Sequence, residues 1–147
     1  WMRASASMPL CSKPVEIGGK IYLDGGMADS IPLKAFEKLG YKKNVVILTQ
    51  PKDYVKKPNK LLFLMNIMLS KFPGLLSAMK KRHLMYNEET KYVFEKAGRG
   101  EIVVICPKQD LGISRTEKNP DELERCYKEG RCAALEKLEE IKKYLSA

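Results

Sequence analysis

The chain has 147 residues, 44% hydrophobic and 31% charged, with 27 Lys+Arg against 18 Asp+Glu and a formal net charge of +9. That is the size and balance of one globular domain able to bury a core. Collagen-like, low-complexity and largely disordered chains are excluded. The charge is uneven: from Lys38 to Arg82 there are eleven Lys/Arg and one acid, Asp53, while the remainder nearly balances. A positive field confined to one segment points to a surface that meets anions.

Reading forward, the opening Trp1-Met2-Arg3 and the Ala/Ser stretch Ala4–Ser7 read as the interior of a longer gene product, with no signal-peptide pattern. Val15-Glu16-Ile17 and Lys20-Ile21-Tyr22-Leu23 flank Gly18-Gly19 and predict a β-hairpin. The second strand ends in Asp24-Gly25-Gly26. Pro32 opens a short helix, Leu33 to Leu39, and Gly40 ends it. Asn44 to Thr49 and Glu101 to Cys106 are β-branched apolar runs, the pattern of strands buried on both faces of a parallel sheet. Helical segments lie between them, so the expected class is α/β.

The stretch from Leu61 to Met79 is apolar but interrupted by Asn66, Lys71 and Pro73-Gly74, which excludes a membrane span and predicts two helices broken at the Pro-Gly pair. Lys52, Lys56, Lys57 and Lys60 precede it, and Lys80, Lys81, Arg82 and His83 follow. Two readings stand. The apolar residues pack inward under solvated lysines, or Lys56, Lys57, Lys80, Lys81 and Arg82 form an anionic-membrane surface. Nucleic acid is not expected: there is no phosphate loop, zinc pattern or interleaved aromatic motif.

Asn119-Pro120-Asp121-Glu122 is a helix start, and the small or apolar residues from Leu123 to Leu145 recur on one face of a packing helix. Arg115 fits an ion pair with the acidic start of that helix. Cys11, Cys106, Cys126 and Cys132 form no C-x-x-C pair, and the single His83 leaves no metal-ligand spacing. They read as reduced cysteines of a cytoplasmic protein, with no metal or organic cofactor implied.

Asp24 is the candidate for chemistry. A carboxylate at a strand end before two glycines sits where the backbone approaches closely. Taken alone, Asp-Gly-Gly is a common turn. Together, Arg3-Ala-Ser-Ala-Ser-Met-Pro9 and Tyr22-Leu-Asp24-Gly-Gly-Met-Ala-Asp-Ser-Ile-Pro-Leu33 resemble the second half of patatin-like phospholipases. Residues 111–120, with Tyr127 and Gly130, are similar to the C-terminal part of a bacterial patatin-like subgroup.

The resemblance implies the C-terminal half of a three-layer α/β/α fold with a mostly parallel sheet. Residues 1–110 would belong to the hydrolase domain, and 111–147 to a C-terminal extension with its capped helix packed on it. It implies acyl-ester hydrolysis by a Ser–Asp dyad, with Asp24 as the carboxylate and Gly25 and Gly26 shaping its turn. It also implies a lipid or carboxylic-ester substrate, which the membrane reading of the basic segment would suit. The chain departs from the family in lacking Gly-x-Ser-x-Gly and the glycine-rich oxyanion loop; none of its eight serines has those flanks. The nucleophile is therefore expected in the missing N-terminal half, and this chain alone is expected to be inactive. The alternative is a non-catalytic membrane- or protein-binding module that keeps the fold.

Overall fold

The computed structural model describes every residue except 10, 60–66, 68, 69, 71, 115 and 147. Most of the apolar run from Leu61 to Leu69, with Lys60, Lys71 and Arg115, therefore lies outside the described residues. In chain order the elements are α1 (Met2–Ser5), β1 (Val15–Ile17), β2 (Lys20–Tyr22), α2 (Leu33–Lys38), β3 (Val45–Ile47), α3 (Pro73–Gly98), β4 (Val103–Ile105), α4 (Pro120–Glu136) and α5 (Leu138–Ser146). The fold is mixed α/β. Two compact units divide it: Trp1–Pro32 with Lys56–Thr90, and Leu33–Val55 with Lys91–Ala147.

In the first unit, β1 and β2 pair antiparallel in the expected register, with Val15 opposite Tyr22 and Ile17 opposite Lys20. The turn works because Gly18 and Gly19 both take left-handed backbone, at φ 58° and 73°, where a Cβ is strained. Val15 is buried, as is Ala4 of α1, and Trp1 packs edge-on against Tyr22. Helix α3 begins at Pro73, as the Pro-Gly break predicts, because proline fits the first helical turn. It runs 26 residues, well past Met79. Met79 and Thr90 are buried, while Arg82, Tyr86 and Glu89 are half-buried on the same 3-4 spaced stripe.

In the second unit, β3 and β4 pair parallel, Val45 with Val103 and Ile47 with Ile105. The core gathers on β4: Ile102 to Ile105 are buried, with Leu33, Leu48 and the fully buried Val93. The expectation of burial on both faces holds for β4 and fails for β3. Val45 and Val46 are half-buried, and Ile47 is 72% exposed. Each described sheet has only two strands, so no further described strand extends cover over β3.

Helix α4 starts as its sequence dictates, with the Asn119 side chain accepting the Asp121 amide at 3.0 Å and proline in the first turn. The single packing helix is corrected, however. It breaks at Lys137, whose amide returns to the Ala134 carbonyl at 3.2 Å, and the acidic first turn of α5 follows. No residue of α4 is buried, and Tyr127 is 61% exposed. The anchor is instead Tyr144 of α5. Its hydroxyl accepts the Asn44 amide at 3.0 Å and donates to the Glu101 carbonyl at 2.8 Å, bridging the approaches to β3 and β4.

Candidate active-site turn

Asp24 follows β2 in extended backbone and caps a single 3-10 turn, Gly25–Met27. Its amide donates to the Ser7 carbonyl at 2.9 Å, so the hairpin delivers Asp24 beside the Ala/Ser stretch. Ser7 is itself buried, with its hydroxyl donating to the Arg3 carbonyl at 2.7 Å. That bond makes Ser7 a structural serine.

The carboxylate is half-buried and divided in its duties. Oδ1 accepts the Gly26 amide at 2.7 Å. Among the described residues, Oδ2 has no hydrogen-bond partner. A Cβ on Gly26 would lie 3.1 Å from Oδ1 and 3.7 Å from the Arg82 guanidinium. The second glycine thus lets the backbone close on the carboxylate, whereas nothing lies within 4 Å of a Cβ on Gly25. The Gly26 carbonyl accepts two bonds, from Ser30 Oγ and from Arg82 Nε, each at 2.8 Å.

Beyond this turn, Glu89 Oε2 accepts the Ile31 amide at 3.0 Å. Burial pushes its carboxyl above the ordinary range, and neighbouring Asp29 adds to the shift against the pull of the backbone amides. The structure does not keep the five predicted surface cations alike. Lys57, Lys80 and Lys81 are exposed. Lys56 is half-buried, with its backbone bonded to the Asn87 amide group and its ammonium 4.8 Å over the Tyr86 ring. Arg82 is turned onto Gly26.

Sequence reading missed Arg82, Glu89 and Ser30 as partners of this turn. The spacing Met79, Arg82, Tyr86, Glu89 was the available signal, but the Lys-Lys-Arg-His run masked it as solvated charge.

The second unit holds a different polar cluster. Glu37 accepts the Tyr92 hydroxyl at 2.6 Å and pairs with Lys96 at 3.1 Å, and Lys96 also reaches Glu101 at 2.7 Å. The Tyr92 hydroxyl and then Lys96 hold the Glu37 carboxyl below its ordinary range. A cleft of about 250 Å³ lies in this unit against Lys52, Val104, Cys106, Lys108, Glu136 and Lys137. Burial pushes the Cys106 thiol up, so it is not an activated thiolate. Among the described residues, no cluster of His, Cys, Asp and Glu could hold a metal ion, and no helix is long and apolar enough to cross a membrane.

Two families match the chain in separate stretches. Residues 1–37, which contain the whole Asp24 turn, match the patatin-like phospholipase family, a family of lipid hydrolases. A search of curated proteins finds no match. Residues 72–146, just over half of the chain, match the family described as Domain of unknown function (DUF6363), and the chain belongs to that family.

Proposed function

We propose that this chain is the C-terminal portion of a patatin-like acyl hydrolase acting on phospholipids or related carboxylic esters, with Asp24 as the carboxylate of a Ser–Asp dyad. The observation that carries it is Asp24 itself. It lies inside the patatin-like match, with Oδ1 fixed by the Gly26 amide and Oδ2 left without a described partner.

A serine hydroxyl is a weak nucleophile until a base takes its proton. In the proposed reaction, Asp24 accepts that proton as serine Oγ bonds to the ester carbonyl carbon. The tetrahedral oxyanion needs fixed N–H donors. Its collapse breaks the ester bond, and the departing alcohol takes the proton back. Water then cleaves the acyl-enzyme with Asp24 again as base.

The serine and the oxyanion donors come from an upstream segment carrying Gly-x-Ser-x-Gly. That segment would also complete the three-layer α/β/α fold, of which residues 1–110 form part and 111–147 the extension. The exposed Lys57, Lys80 and Lys81 would meet the anionic surface where such a substrate resides.

The test is a fluorophosphonate probe. The gene product carrying this chain with its upstream segment should be labelled on one serine, and the 147-residue chain should not. Labelling of the short chain would overturn the upstream placement of the serine, whereas no Gly-x-Ser-x-Gly upstream would favour the alternative of a non-catalytic module.

A further inference from the structure

We infer that Arg82 is a positioning residue for Asp24, acting through the carbonyl of Gly26. The inference rests on the reading of Asp24 as the dyad carboxylate and adds a residue from outside the patatin-like stretch.

Gly26 is clamped at both ends. Its amide donates to Asp24 Oδ1 at 2.7 Å, and its carbonyl accepts Arg82 Nε and Ser30 Oγ at 2.8 Å each. The Ser30 bond is local, four residues along the same turn. The Arg82 bond comes from 56 residues away, and it ties the turn to a helix. That helix is a firm support, since Met79 and Thr90 on the same stripe of α3 are buried.

Arg82 acts on Asp24 through the backbone and not by a direct ion pair. Nη2 of Arg82 and Oδ1 of Asp24 both approach the point where a Cβ on Gly26 would stand, at 3.7 and 3.1 Å. Among the described residues, no ion pair joins Arg82 to Asp24. The guanidinium, bonded to the adjacent carbonyl, fixes the turn that aims the carboxylate. Half-burial also sets Arg82 apart from its exposed neighbours Lys80 and Lys81, so it is poorly placed to serve a membrane surface.

The experiment follows fluorophosphonate labelling and short-chain nitrophenyl ester turnover in the full-length gene product. The variants are Arg82→Ala, Arg82→Lys and Asp24→Asn. Arg82→Ala should label to the wild-type final fraction, but about 10- to 100-fold more slowly. Its kcat should fall to match while KM stays within about threefold. Arg82→Lys, whose ammonium can reach the same carbonyl, should recover part of the rate.

A merely structural role would show as a smaller labelled fraction reacting at the wild-type rate. That result, or Arg82→Ala at the wild-type rate, overturns the inference. If Arg82→Ala yields no folded protein, Arg82→Met, which keeps the stem and removes the donor, takes its place: the full wild-type rate overturns the inference, and a slower rate at full final labelling supports it. Wild-type turnover in Asp24→Asn would remove the dyad reading itself and the positioning role with it. Loss in Asp24→Asn with no loss in Arg82→Ala would remove only the positioning role.

Discussion

At the scale of single residues, the turn around Asp24 depends on groups whose roles are set by burial. Glu89 holds the Ile31 amide, and burial raises its carboxyl above the ordinary range. An acid with a raised folded pKa favours folding below the ordinary carboxylate value and loses that contribution as pH rises through the raised value. At neutral pH, ionised Glu89 therefore costs stability. Glu89→Gln keeps an acceptor for the Ile31 amide and removes the charge. Its melting temperature should exceed that of wild type at neutral pH, with the gap closing below about pH 4, as the carboxyl becomes protonated in the folded and unfolded chains alike. A gap that widens on acidification would contradict this. Asp24 was legible in the sequence because its signal is local: a strand end, two glycines and the upstream Ala/Ser stretch. Arg82 and Glu89 were not, because their partners Gly26 and Ile31 are 56 and 58 residues away.

At the scale of elements, the same division holds. The hairpin and the start of α4 follow from neighbouring residues, through Gly18-Gly19 and through Asn119-Pro120. Removing the Asn119 cap by Asn119→Ala should cost about 1 kcal/mol, read as a lower urea midpoint at unchanged slope. The break at Lys137 and the exposure of Ile47 were not legible, because periodicity does not report what lies opposite a face. Tyr144 falls outside the apolar stripe, yet it joins α5 to the approaches to β3 and β4. The basic segment separates in the same way, into Arg82 and Lys56 turned inward and Lys57, Lys80 and Lys81 facing solvent. On the proposed membrane contact, Lys57→Ala, Lys80→Ala and Lys81→Ala together should lower the affinity for anionic vesicles read by co-sedimentation about 100-fold at low salt, at about 1 kcal/mol per lysine near the surface. Equal co-sedimentation of the triple variant and wild type would refute the membrane contact.

At the scale of the molecule, the α/β class was legible from two β-branched runs separated by helical sequence, and the parallel pairing of β3 with β4 bears it out. The wider sheet was not, since each described sheet has two strands. A parallel pair with Val45 and Val46 only half-buried and Ile47 exposed is unusual, because parallel sheets are ordinarily covered on both faces. That geometry supports a chain that works with further strands, as does a carboxylate without a serine partner in a Gly-x-Ser-x-Gly context. The central claim is that Asp24 is the base of such a joined site. Its most direct test is ester turnover by the full-length gene product with Asp24→Asn, a near-isosteric change that keeps an acceptor for the Gly26 amide and abolishes the base. The account predicts a fall in kcat of at least about 1,000-fold with folding intact, and undiminished turnover in Asp24→Asn would contradict it.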